Sequence, residues 1–168
     1  MYLLVNFLYL IAGVIWGDWR HWKEYYPTIL FLITGDFLYN FLLYNKSMWV
    51  FRDIILPNHT LITLLAMTVS YSATVLIYLG RFPNGIKKRT LWFFIWSTIY
   101  LMIEYIDNKL GFITYHNGWN IGWSAFMTFL IFIILPIHHK RPLLAWGISV
   151  AVIVFLLTIF DVNISDMK

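Results

Sequence analysis

Cysteine is absent from the 168 residues, which excludes disulfides, thiolate nucleophiles and cysteine metal sites. Charge is scarce: Asp, Glu, Lys and Arg together make up 12% of the chain, about half the share of an average soluble domain. Internal repeats and low-complexity tracts are missing too. So are H-E-x-x-H and G-x-S-x-G, the signatures of zinc proteases and of a serine nucleophile elbow. No basic n-region and no A-x-A-like site frames the first apolar run, so that run reads as a retained span that begins at Met1.

What is present is apolar. Hydrophobic residues reach 61%. A soluble domain of about 150 residues buries only about 70% of its unfolded surface and could not hide so much. The residues gather into six runs, each about the length that crosses a bilayer as a helix. They lie near 2–17, 26–44, 60–80, 90–106, 119–137 and 143–160. The fold class expected is therefore all-α, one transmembrane domain over 1–168 formed by a bundle of about six helices in the lipid bilayer.

The second run contains Asp36, flanked by Ile29–Ile33, Phe37, Leu38 and Phe41–Leu43. Those apolar neighbours contribute about −5 kcal/mol against about +3 for a central Asp, so the run still inserts. Trp16, Trp19, Trp22, Tyr25 and Tyr26, interleaved with Arg20 and Lys23, form an interfacial aromatic belt after the first run.

The net charge of +4 and the pI near 9.3 come from basic residues beside apolar runs, a pattern of membrane orientation rather than of nucleic-acid binding. Arg20, Lys23, Arg81, Lys87, Lys88, Arg89, Lys140 and Arg141 fall in the connections on one side. Lys46, Arg52, Lys109 and Lys168 fall on the other. The bias places the first group in the cytoplasm and both termini outside. Among the outer connections, Met48, Phe51 and Ile55 have helical spacing, which predicts an interfacial helix within 45–57. Residues 107–118 read as a loop that dips inward.

Polar residues sort by depth and by face. Asn6, Asp36, Asn40, His59, Glu104, Asp107, His116, Asn117 and Asn120 all fall in or beside the same leaflet once six crossings are drawn. Helical spacing aligns Tyr2, Asn6, Tyr9, Gly13 and Trp16 on the first run, and His59, Thr63, Met67, Ser70 and Thr74 on the third. It likewise aligns Ser97, Tyr100, Glu104 and Asp107 on the fourth, and Asn117, Asn120, Ser124 and Thr128 on the fifth. The sixth has no such stripe and reads as peripheral. Lipid-facing polar groups are costly, so the stripes need a shared interior.

The expected site is an outward-facing polar pocket. Asp36 and Glu104 are its principal charges, and Asn40, His59, Asp107, His116, Asn117 and Asn120 form its rim. No basic residue lies at depth to neutralise the two carboxyls, so a small cation, a proton or an amine-bearing ligand suits them, for binding or transport. Two other readings stand beside it. His59, His116, Glu104, Asp107 and Asp36 are the residue types of an N/O metal site in a membrane hydrolase or transferase. A non-catalytic assembly protein also fits a small chain with little outside the membrane. The run His138-His139-Lys140-Arg141 before Pro142 reads as a positive-inside turn.

PNHTLITLLAMTVSYSATVLIYLGRFP at 57–83, IEYIDNKLGFITYHNGWNIGWS at 103–124 and HHKRPLLAW at 138–146, with the spacing between them, resemble a family of short multi-spanning membrane proteins found mainly in spore-forming Firmicutes. The resemblance implies a bacterial cytoplasmic membrane. It brings no activity with it and assigns no role to any residue.

Overall fold

A computed structural model describes residues 2–53, 55 and 58–167, and of Ile164 the backbone only. Met1, at the start of the first run, and Lys168, one of the outer-side cations, lie outside the described residues. Helices α1 (Tyr2–Trp16), α2 (Trp22–Leu42), α3 (His59–Gly80), α4 (Ile86–Lys109), α5 (Ile121–Lys140) and α6 (Pro142–Ile159) follow the six apolar runs. Two short strands, β1 (Trp49–Phe51) and β2 (Ile113–Tyr115), complete the described architecture with short 3₁₀ turns.

Local chemistry explains several boundaries. The Asn58 side chain caps α3 by accepting from the Thr60 N–H at 2.8 Å. Asn120 caps α5 by accepting from the N–H groups of Gly122 and Trp123 at 2.9 and 3.4 Å. Pro142 opens α6 at a position where its missing N–H costs nothing.

Three helices are long and apolar enough to cross a membrane: α3, α5 and α6, with mean hydropathy 1.8, 1.9 and 2.4. Residues Tyr2–Trp16 and Trp19–Leu42 meet that standard only as a joined pair, bent by 84° at their junction, which makes the number up to four. Helix α1 is short at 15 residues. Helix α4 carries Lys87, Lys88, Arg89, Glu104, Asp107 and Lys109 in its end turns, which dilutes a long apolar centre. The class is thus mostly helical with several candidate membrane helices.

The chain nevertheless shuttles between two ends. At one end Asp18 N–H donates to Leu76 O at 3.3 Å, Arg81 Nε donates to Trp16 O at 2.9 Å, and the Tyr25 ring lies against His139. This basic end gathers the connections that hold Arg20, Arg81, Lys87, Lys88, Arg89 and Arg141. At the other end β1 and β2 pair antiparallel in the register Trp49↔Tyr115, Val50↔Thr114, Phe51↔Ile113. There Tyr2 OH donates to Phe112 O at 3.0 Å and the Trp119 and Phe160 rings meet.

The sheet corrects the expectation for 45–57. Trp49–Phe51 is a strand, not part of an interfacial helix, because its backbone finds a partner strand far along the chain. Ile54, Leu56 and Pro57 of that segment lie outside the described residues. Residues 107–118 form the last turn of α4, a Gly111 turn and β2, rather than an irregular loop.

The core sits where α3 is surrounded. Tyr78 is fully buried, packed edge-on against Phe132, Trp96 and Phe82, with its hydroxyl donating to Phe132 O at 2.9 Å. Helices α1 and α3 approach closely at small residues: a Cβ added to Gly13 would lie 2.8 Å from Ala73 Cβ. Helix α6 buries only Ala145 and packs on α5, the peripheral place its missing polar stripe anticipates.

Candidate functional site

The polar stripes face inward. Tyr2, Asn6, Thr63, Ser70, Thr74, Ser97, Asp107, Ser124 and Thr128 are all buried. A π-helical segment, Ala66–Tyr71, interrupts α3 among them. An extra residue in a helical turn shifts the side-chain faces that follow it relative to those before. Ser70 Oγ donates to Asn6 Oδ1 on α1 at 2.9 Å. Its neighbour Tyr71 turns to α2 and donates through its hydroxyl to Asp36 Oδ2 at 2.9 Å.

Asn40, one turn along α2, completes the Asp36 contacts by donating from Nδ2 to Asp36 Oδ1 at 3.2 Å and to its backbone oxygen at 2.8 Å. On the α4 side, Thr74 Oγ1 and the Tyr100 hydroxyl are 2.5 Å apart, and Tyr9 of α1 packs edge-on against the Tyr100 ring. One turn further, Glu104 Oε1 accepts from the Tyr115 hydroxyl at 2.8 Å. Ser124 of α5 lies beside the same carboxyl and is itself held by Trp119 Nε1 at 2.9 Å.

Asp36 with Tyr71 and Glu104 with Tyr115 are thus two carboxyl–tyrosine pairs, each held by its own hydrogen bond. Burial, and then the charge of Glu104, push the Tyr115 hydroxyl on β2 well above its ordinary value. It therefore remains a proton donor to Glu104 at any ordinary pH. Asp107 is 2% exposed and its Oδ1 has no hydrogen-bond partner among the described residues. It shares its surroundings with Glu104, Asp53 and the Tyr2 ring.

The rim residues divide. Asn40 belongs to the Asp36 group, and Asp107 stands on the Glu104 face of α4. The others build the sheet end. His59 accepts the Phe51 N–H at Nδ1 (3.1 Å) and stacks on the Phe51 ring. His116 Nε2 is 3.0 Å from Thr114 Oγ1 on the exposed face. Asn117 adopts a positive φ of 52° and donates to Ser47 O at 2.9 Å. Asn120 is occupied as the cap of α5. Among the described residues, no three His, Asp or Glu side chains come together closely enough to hold a metal ion.

Two cavities lie away from Asp36 and Glu104. One, of about 40 Å³, is walled by apolar and aromatic groups including Tyr39, Met48, Trp49, Trp119 and Phe160 at the sheet end. The other is an open groove at the basic end. Each carboxyl has hydrogen-bond partners of its own, Tyr71 and Asn40 for Asp36 and Tyr115 for Glu104.

Sequence reasoning missed Tyr71 and Tyr115. Both were visible as aromatics inside or beside a polar stripe, and the signal was their hydroxyl: a buried tyrosine needs a partner, and a carboxyl is a strong acceptor. Compared with protein-family models, with curated proteins and with solved structures, the chain matches none.

Proposed function

We propose that the chain crosses the bacterial cytoplasmic membrane six times, with the sheet end outward, and that the Asp36–Tyr71 and Glu104–Tyr115 pairs bind and relay protons within it. The observation that carries this reading is that each of the two carboxyls shares a hydrogen bond with a tyrosine hydroxyl, Asp36 with Tyr71 at 2.9 Å and Glu104 with Tyr115 at 2.8 Å. Two carboxyls without a basic partner suit a positive ligand. The bonding around them chooses among such ligands. A proton passes between a tyrosine hydroxyl and a carboxyl that share a hydrogen bond, and both carboxyls are so bonded. The clustering of basic side chains at the opposite end supports the orientation.

The test uses full-length protein in liposomes loaded with a pH-sensitive dye, under a potassium diffusion potential. The expected result is proton flux above that of empty liposomes, lost in Asp36→Asn and in Glu104→Gln. Flux unchanged in both variants refutes the assignment. Sodium-dependent flux without acidification would replace the proton with a metal cation.

A further inference from the structure

The groove at the basic end carries a site of its own. It encloses about 390 Å³ and is lined by Arg81, Pro83, Lys88, Leu91, Trp92 and Ile95. Four of these, Lys88, Leu91, Trp92 and Ile95, follow the i, i+3, i+4, i+7 spacing of one face of α4. The face is graded. Cations stand at its mouth, and Leu91 and Ile95 continue one and two turns into the apolar part of the helix, 62% and 41% exposed.

The walls are fixed and the cations are open. Trp92 Nε1 donates to Tyr78 O at 3.1 Å, which pins the indole. Arg89 is engaged in the turn, donating to Pro83 O at 3.1 Å and lying over the Phe82 ring. Arg81 uses Nε on Trp16 O, which leaves its outer nitrogens to the groove, and Lys88 is exposed. The first turn of α4 adds to the positive field, for Gly85 gives it no side-chain cap and it contains no acidic residue. On the six-span reading proposed above, this end of α4 lies at the membrane boundary, and a cationic mouth above an apolar trough is there complementary to an amphiphile with an anionic head.

We propose that this groove seats an anionic phospholipid, its phosphate held between Arg81 and Lys88 and one acyl chain along Leu91 and Ile95. The site is independent of the two carboxyl–tyrosine pairs and stands whether or not they move protons.

Full-length protein in a neutral detergent is titrated with palmitoyl-oleoyl phosphatidylglycerol, with phosphatidylcholine of the same chains, and with inorganic phosphate, and lipid adducts are read by native mass spectrometry. Saturable phosphatidylglycerol binding at least about tenfold tighter than phosphatidylcholine is expected. Lys88→Gln should weaken it about fivefold and Arg81→Gln/Lys88→Gln about thirtyfold. Arg20→Gln/Lys23→Gln, at the same end but off the groove, should leave it within about twofold. Equal binding of the two lipids overturns the proposal, as does an equal loss in the Arg20/Lys23 pair, which would make the attraction a diffuse surface effect. Inorganic phosphate displacing the lipid at matched concentration would make this a free-phosphate site and also overturn it. Lys88→Gln keeps the Arg81–Trp16 contact, so the test survives if the double variant fails to fold.

Discussion

Replacing Gly13 by Ala adds one methyl group to a close approach between α1 and α3. The new Cβ would lie 2.8 Å from Ala73 Cβ and 3.3 Å from Ala73 Cα. Carbon atoms rest at about 3.5–4.0 Å, so α1 and α3 must part by most of an ångström or shear past each other. Overpacking of this kind costs about 1–3 kcal/mol, offset by about 1 kcal/mol from the better helix propensity of Ala. The separation also strains the Ser70–Asn6 hydrogen bond two turns away. The net expectation is a loss of up to about 2 kcal/mol. Gly35 and Gly147, also helical, have nothing within 4 Å of an added Cβ. Their Ala variants should gain up to about 1 kcal/mol and serve as controls. Unfolding in detergent, followed by intrinsic tryptophan fluorescence, compares the three. Because the clashing atom is Ala73 Cβ itself, Gly13→Ala/Ala73→Gly should recover most of the loss, with a coupling of at least about 1 kcal/mol in the double-mutant cycle. A Gly13→Ala protein as stable as Gly147→Ala, or no rescue by Ala73→Gly, refutes the close approach.

Three further outcomes rest on single groups. Ser97 Oγ is buried without a hydrogen-bond partner, so Ser97→Ala should match or exceed the parent by up to about 1–2 kcal/mol; a clear loss of stability in the same assay would show that the hydroxyl is bonded. Asn120→Ala removes the α5 cap and should cost about 1 kcal/mol, while Asn120→Asp, which keeps the acceptor, should cost much less; equal losses in the two would show that capping is not the role of this side chain. Asp18 lies in the turn between α1 and α2. Burial alone would raise its pKa, but the hydrogen bonds from His21 and Tyr25 prevail and hold it below the ordinary carboxylate value. The folded pKa is depressed, so its contribution is present above the unfolded value near 4 and is lost as pH falls through the folded one. A thermal midpoint followed from pH 6 to 3 should therefore fall less steeply in Asp18→Asn than in the parent, and parallel curves would contradict the assignment.

The helices were legible in the sequence because their signal is local. The six apolar runs differ from α1–α6 by a few residues at each end. The stripe Ser97, Tyr100, Glu104, Asp107 places its first and last members in buried positions, as the spacing requires. The sheet was not legible, since the three residues of β1 pair across a separation that no local period encodes, and Met48, Phe51 and Ile55 match a helical spacing by coincidence. Nor was the shift in α3. Regular spacing predicts one continuous face through Ser70 and Thr74, while across the π segment Ser70 reaches Asn6 of α1 and Thr74 reaches Tyr100 of α4. The carboxyls of the site were therefore found from their types and depth, and the tyrosines bonded to them from coordinates alone.

The β1–β2 pairing also sets an order of events. Val50 pairs with Thr114, 64 residues later, so during synthesis the first strand waits with a bare edge until α3 and α4 have left the ribosome. Tyr115 arrives with its strand and brings Glu104 its donor in the same step. The clasp that ties the second helix to the fourth is also the act that satisfies the acid, so a nascent chain halted before residue 115 would hold that carboxyl unpaired.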